Sequence, residues 1–574
     1  ITYIEKLEQS FYDIERSLVD ERYLKHKNLK ELYIQKKELV NRLKKITSDN
    51  VELNKDNVEL NKDNVLLNRN KLQLLKKLEI ETQKGCKQRV KTFLKKFKIV
   101  QNFLPIYKNN IKRQPENLTT KKTNIIKIPD VIKKPDPIKD LLDNGYKYVE
   151  DKYNYIADDT SLNVVYVIHN SLPETNNGYA IRSHYIAKSI QNQKINIYPV
   201  TRAGFPLDLK KIGKYENDDF NPIVDSLQYY RMNKEGFGWG KATIPEYLKN
   251  YSRMLAQFAL AREVTVLHAA SNYVNGLAAV NAAKMLNIPS IYEVRGFWEI
   301  TGASRNPDFK NSDLFKMQKR LEIQACTDAT SVIALSEIVK EELMNRGIDE
   351  DKIYVVPNGV DTEKMKPLGK NIELLEKYGW QEKFIVGFIG SVVDYEGLGL
   401  LVEAAEKLAI NGCDNFRYMI VGDGNDFENL KKVVEEKGLS QLFLFTGRVP
   451  YEDVEKYYSI MDAACYPRLN WEVCSIVSPK KPFEAMAYSI PIISSSVRAN
   501  SYFIEDGING LVHKCENSDS IVEKLQLLFN SDSLKQEIGG NGREWVSKNR
   551  ESKIAGPKLK EIYRQTIDKF KKEN

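Results

Sequence analysis

The sequence predicts an α/β protein with two Rossmann-like domains behind an N-terminal α-helical coiled coil. Three observations carry this. Strands alternate with helices from Leu162 onward, the alternation restarts near Lys383, and residues 1–80 repeat apolar side chains at every seventh position. At 574 residues the chain is long enough for two or three domains with full cores.

The first element is a helix with a seam. From Ile4 every seventh residue is apolar (Phe11, Leu18, Leu32, Leu39, Ile46, Leu53, Leu60, Leu67, Leu74), with Lys25 the exception. Leu29, Leu43, Asn50, Asn57 and Asn64 stand three residues before members of that series, and N-V-E-L-N-K-D occurs twice in tandem from Asn50. Apolar d positions with asparagine often at a favour a parallel dimer in register, at a cost in stability. A trimer, an antiparallel hairpin and a solvated single helix are the competing readings. Residues 1–83 are therefore expected to form a homo-oligomer, with a dimer favoured.

Residues 84–98 carry seven basic side chains and no acid, with Val90, Phe93, Leu94 and Phe97 on one helical face. Such a face suits an anionic membrane surface, and a solvated basic linker helix fits equally well. Residues 99–160, rich in Lys, Asn and Pro, read as an extended connector, so 84–160 as a whole is expected to be linker.

Residues 161–375 read as the first Rossmann-like domain. Its strands fall near residues 162–168, 195–200, 264–268, 290–294, 330–335 and 353–356, with helices near 179–191, 275–286, 314–326 and 337–346. Asn177-Gly178 opens the first helix, where glycine lets a ligand approach the backbone. No G-x-G-x-x-G accompanies it, so a nicotinamide cofactor is not indicated. Residues 376–550 read as a second such domain, with a strand at 384–389 turning at Gly390-Ser391, a strand at 416–421 and another at 442–445. Residues 551–574 form a closing helix.

The mean charge balance agrees with anionic ligands. Charged residues make up 29% and the net charge is +9, and no nucleic-acid-binding motif appears. Six cysteines lie scattered without CxxC or His/Cys spacing, which reads as reduced thiols in a cytoplasmic protein without a bound metal. No apolar run approaches the roughly 20 residues that span a bilayer, so any membrane contact would be peripheral, at the inner face. The chain begins at Ile1 rather than methionine, which leaves a removed leader open.

Residues 461–496 concentrate the chemistry. A strand at 463–466 ends at Pro467-Arg468, and a second apolar strand begins at Pro491. Between them Pro482 is preorganised for a first helical turn, predicting a helix over 482–489. A helix starting at the carboxyl end of a parallel sheet turns free N–H groups into the ligand crevice. Lys481 at its cap and Arg468 from the preceding strand can neutralise a diphosphate. Glu484 in the first turn can accept from a ribose diol, or it only complements the helix dipole.

The run S-P-K-K-P-F-E-A-M-A-Y-S-I-P-I-I-S from Ser478 resembles the donor-site signature of glycosyltransferase family four, retaining enzymes of the GT-B fold, in a subset with S-P-x-K-P-F-E. The resemblance implies that Glu484 holds the donor ribose and Lys481 the diphosphate. The glutamate that commoner members place eight residues earlier is Ile476 here. His268-Ala-Ala-Ser-Asn-Tyr-Val-Asn-Gly and Tyr292-Glu-Val-Arg-Gly-Phe-Trp-Glu are similar to cleft-lining segments of the family. His268, at a strand end, has both a structural and a catalytic reading. Arg295 stands where relatives place a histidine and can stabilise charge, while Glu293 or Glu299 can pair with it structurally.

Two donor-side positions depart from the family: Ser391 and Glu396 replace an arginine and a lysine, so Arg468 and Lys481 are expected to carry the electrostatics, helped by Ser391 and the backbone after Gly390. Arg448 falls in the loop that in relatives flanks the base, and a plain surface charge is its other reading. The implied activity is transfer of a sugar from a UDP- or GDP-linked donor to a hydroxyl of a surface glycan, lipid-linked glycan or protein, with no metal or other cofactor. Catalytic candidates are Arg295, His268, Lys481 and Arg468; donor-binding candidates are Gly178, Gly390, Ser391, Arg448, Arg468, Ser478, Lys481 and Glu484. The alternatives are a GT-B epimerase or phosphorylase, and a coiled-coil scaffold carrying a degenerate transferase domain.

Overall fold

A computed structural model of the chain describes residues 137–157, 161–209, 221–232, 238–240 and 242–574. The expected coiled coil and the basic segment 84–98 lie outside the described residues.

Two parallel sheets organise this part of the chain. The first is built from β1 (Asn163–Ile168), β2 (Asn196–Thr201), β5 (Tyr230–Arg231), β6 (Val266–Ala270), β7 (Ser290–Val294), β8 (Ser331–Ala334) and β9 (Ile353–Val355), in the order β5-β2-β1-β6-β7-β8-β9. A small antiparallel pair, β3 (Ile223–Val224) and β4 (Leu227–Gln228), stands apart. The second sheet holds β10 (Phe384–Ile389), β11 (Phe416–Val421), β12 (Phe443–Gly447), β13 (Ala463–Tyr466), β14 (Ile492–Ser495) and β15 (Leu511–His513), in the order β12-β11-β10-β13-β14-β15. Each sheet reverses its winding once, between β1 and β6 and between β10 and β13. At such a switch point the flanking loops leave in opposite directions and open a crevice at the strands' carboxyl ends.

The strands are apolar because helices cover both faces. β1 and β10 are buried at every position. On one face of the first sheet Val165, Val167, Leu267, Ala269 and Tyr292 pack under the helices Ile244–Leu260 and Tyr273–Leu286. On the other, Val164, Tyr166, Val266 and Ile291 meet the helix Gly178–Gln191 and the C-terminal helix Ala555–Glu573, which brings Leu559, Ile562, Tyr563 and Ile567 back to this sheet.

Several elements differ from the sequence reading. The expected linker ends inside the fold: Pro137–Asn144 is a helix, Leu141 and Tyr146 are buried, and the Tyr148 hydroxyl donates to Asp328 at 2.6 Å. Pro, Lys and Asn mask a few aromatic anchors there, and those anchors decide. The helix Ile244–Leu260 and the helix Asp532–Asn549 were not anticipated; the latter contains Gly539, Gly540 and Gly542, which lower its intrinsic propensity, while Gly539 and Gly542 allow close packing on Ser489 and Met486. β6 runs two residues past His268. Among the described residues no helix is long and apolar enough to cross a membrane, and no cluster of His, Cys, Asp and Glu is arranged to hold a metal.

Candidate active site

The carboxyl ends of β10 and β13 flank the second sheet's switch point, and of the expected donor residues Gly390, Ser391, Arg468, Lys481 and Glu484 lie there. The helix predicted over 482–489 spans Lys481–Ala487, starting one residue earlier and ending at Tyr488 and Ser489, where Ser489 takes φ +60°. With only two turns, it leaves most of the charge balance to side chains.

Those side chains form a compact cluster. Lys481 Nζ lies 2.8 Å from Glu396 Oε1, and Arg468 Nε lies 3.8 Å from the same oxygen. Arg468 also donates to the Val477 carbonyl at 2.9 Å, and Lys481 to the Ser391 carbonyl at 3.4 Å. Glu396 and Arg468 are buried, whereas Lys481 keeps 18% of its side chain exposed, so it is the cation that meets the crevice. Glu396, which stands where the family resemblance expects a lysine, sits between two cations. Burial pushes its carboxyl up, but Lys481 and Arg468 outweigh this and hold it below the usual range. Burial lowers Lys481, and Glu396 opposes that shift.

Glycines let this cluster form. A Cβ at Gly390, at φ +145°, would lie 2.8 Å from the Lys481 Cδ and overlap its Cε, so only glycine lets the lysine cross the turn after β10. Gly397, at φ +69°, presses on the Pro467 carbonyl and so sets Glu396 against the end of β13.

Glu484 faces the same crevice at about one-fifth exposure, accepting from the Tyr458 hydroxyl at 3.2 Å and pairing with Lys480 at 3.1 Å. The sequence reading missed Lys480 and Tyr458. Lys480 lies 4.9 Å from the centre of the Tyr185 ring, on a helix of the first domain, and so ties the donor loop to the opposite side. Its doubling with Lys481 in S-P-K-K-P was the available signal; Tyr458 had none. The Ser478 carbonyl accepts from Asn358 at 3.4 Å and lines a cavity of about 380 Å³ with Arg182, Tyr185 and Arg550. That cavity shares only Ser478 with the donor cluster. Ser391 is exposed beside Lys481. Arg448 is 76% exposed and only 4.0 Å from Asp423, a surface charge in this geometry. Gly178 starts its helix beneath an Asn177 cap, with open space where a side chain would stand.

Arg295 and His268 lie elsewhere than the sequence suggested. Arg295 is consumed in a buried network: it donates to Glu293 at 3.0 Å, to Ser183 at 2.8 Å, to the Tyr179 carbonyl at 3.1 Å and to the Tyr166 hydroxyl. Arg182 closes the other side of Glu293 at 2.7 Å. Glu293 is completely surrounded; burial raises it, but the two guanidinium groups hold it far below the usual carboxylate range. A guanidinium so engaged is not free to meet a phosphate. His268 is fully buried on the face under the C-terminal helix, its Nδ1 2.9 Å from the Tyr563 hydroxyl. Burial lowers its pKa to about 4, so it is neutral and without access to a substrate. Both corrections share a cause. Strand parity turns His268 and Glu293 to the face that the returning helix seals, which no local pattern reveals. Glu299 likewise pairs with Arg346 at 2.7 Å.

Contacts between the domains run beside the donor cluster. Val473 N–H donates to Ser304 at 3.4 Å, Arg305 approaches Asp394 at 3.4 Å, Lys310 meets Glu472 at 2.5 Å, and the Tyr502 hydroxyl donates to Glu341 at 2.9 Å. Ile476 is buried in the apolar seam with Val473 and offers a donor sugar no polar contact.

Two switch-point sheets, a C-terminal helix that returns to the first, and a cationic cluster at the second define the class of architecture: a two-domain α/β chain with a GT-B-like fold. Residues 371–545 match the family of glycosyl transferases group 1, and residues 225–364 match Glycosyltransferase Family 4. The capsular polysaccharide biosynthesis glycosyltransferase CapM of Staphylococcus aureus is 27% identical over 303 residues, which is 50% of this chain and 73% of CapM. An uncharacterised glycosyltransferase of Methanocaldococcus jannaschii is 23% identical over 262 residues, 46% of this chain and 65% of the relative; the chain spans just under two thirds of that protein. Anabaena HepE, crystallised in complex with UDP, shares the fold with a TM-score of 0.56 at 14% identity, over 70% of this chain and all of HepE.

Proposed function

We propose that the chain is a retaining glycosyltransferase that moves a sugar from a nucleoside diphosphate donor, UDP- or GDP-linked, to an acceptor hydroxyl of a surface glycan, lipid-linked glycan or protein. The observation that carries this reading is the Arg468–Glu396–Lys481 cluster at the β10/β13 switch point, with Glu484 beside it. Lys481 supplies countercharge to the leaving diphosphate, and Arg468 backs it from beneath. Glu484 accepts from the ribose hydroxyls, held in place by Tyr458 and Lys480. CapM, whose printed name ties it to capsular polysaccharide, supports a glycan acceptor, and the UDP bound to HepE supports a uridine donor.

Attack then proceeds from the face that the phosphate leaves, with a phosphate oxygen taking the acceptor proton. No side-chain nucleophile is assigned, and Arg295 and His268 are not part of this machinery. Oligomerisation through residues 1–83 and peripheral membrane contact through residues 84–98 complete the proposal. The test is calorimetry with UDP and GDP, followed by product analysis with a panel of UDP- and GDP-sugars. Binding of one nucleotide and an anomer retained in the product are expected; binding of neither, or an inverted product, would overturn the reading.

A further inference from the structure

The donor cluster contains a carboxylate where the site must hold a dianion, which is costly unless the carboxylate serves the cations. Glu396 lies 2.8 Å from Lys481 Nζ and 3.8 Å from Arg468 Nε, is 5% exposed, and directs no donor or acceptor of its own to the crevice. Its Oε2 and the Arg468 Nε have no hydrogen-bond partner, so the trio is held by charge rather than by a saturated network. We propose that Glu396 is a positioning residue for the donor, holding Lys481 as a cation at the crevice and Arg468 in place behind it, at the ends of β10 and β13. This rests on the donor-site reading above.

The surroundings of Lys481 explain why it needs such a partner. The Phe388 ring of β10 lies 4.8 Å from Nζ, the Ser391 carbonyl at 3.4 Å, Arg468 stands at the end of β13, and Glu484 follows on its own helix. Burial and the Arg468 charge both favour the neutral amine; Glu396 and Glu484 oppose them, and Glu396 is the acid in hydrogen-bond contact. Without the Glu396 charge the lysine loses its proton at lower pH and swings free of the turn. The nucleotide then meets one buried arginine instead of two placed cations.

The experiment is calorimetric titration of UDP and of GDP into the full-length protein at pH 7.5 and 9.5, both above the second phosphate ionisation of about 6. Wild type, Glu396→Gln and Glu396→Asp are compared, with melting temperatures recorded. For the nucleotide that wild type binds, its Kd is expected to change less than about threefold between the two pH values. Glu396→Gln is expected to bind more weakly at pH 7.5 and to lose at least a further tenfold by pH 9.5, the factor that one pKa unit represents. Glu396→Asp, which keeps the charge, restores the flat profile. A Glu396→Gln variant that melts lower yet follows the wild-type pH profile would make Glu396 merely structural and overturn the proposal. Wild type binding neither nucleotide would remove the donor reading itself, and this proposal with it.

Discussion

Replacing Lys481 by methionine separates the two jobs that one ammonium group performs. The group sits 2.8 Å from a buried carboxylate, and Lys→Met keeps the aliphatic stem that crosses Gly390. Removing one partner of a buried pair costs about 3–5 kcal/mol. Here the loss is expected below that range, about 2–3 kcal/mol, because Arg468 stays 3.8 Å from the carboxylate and Lys481 is 18% exposed. The donor loses a second interaction. A unit charge about 4 Å from a phosphate at an effective dielectric near 20 contributes about 4 kcal/mol before desolvation. A net loss of about 2–3 kcal/mol, or roughly 30- to 150-fold in nucleotide Kd, is the expected outcome. In Lys481→Met/Glu396→Gln the stranded charge passes from the carboxylate to the buried Arg468, so the melting temperature should stay low and nucleotide affinity should stay low with it. Thermal unfolding with and without nucleotide, together with calorimetry, measures both. If Lys481→Met binds within threefold of wild type, the diphosphate does not rest on this lysine and the electrostatic reasoning fails.

Other predictions follow from single contacts. Gly390→Ala places a methyl group against the Lys481 stem at a backbone angle that alanine resists, so nucleotide binding should weaken at least tenfold and stability fall by about 1–3 kcal/mol, measured in the same assays. Tyr563→Phe removes the hydroxyl that meets His268; chemical denaturation should show a loss of about 1 kcal/mol, with donor and acceptor kinetics unchanged. Glu322, buried near Glu299, has its pKa raised to about 8 by desolvation first and that second carboxylate next. The folded state therefore holds a proton that the unfolded chain releases above about 4.5, and this contribution to stability drains away as pH rises from there through 8. Glu322→Gln, which mimics the protonated form toward Tyr273 and Tyr292, should flatten that slope and raise stability at pH 8 by about 1–3 kcal/mol, read by denaturation across pH. Light scattering on a chain lacking residues 1–83 should report monomers if those residues assemble the protein; an unchanged mass would refute that assignment.

The sequence by itself determined the central strands of both sheets and the helix start at Lys481, and left out the edge strands β5 and β15. Buried parallel strands are continuous apolar runs, and proline at a helix start is a local signal, so β10, β13 and the helix at Lys481 were legible to within two residues. The heptad seam is equally local, and it concerns residues outside the described part of the chain. What only the tertiary structure decided is which charges face which. Glu396 reads as a defect along the chain, because the two cations that balance it come from 72 and 85 positions later. Arg295 and His268 read as cleft residues, yet Glu293 claims one and Tyr563, 295 residues away in sequence, claims the other. Local pattern fixes where a strand runs because burial of its own side chains is at stake. The partner of a buried charge is chosen by whatever distant element the fold brings within hydrogen-bond reach, and that choice leaves no trace in the neighbouring residues.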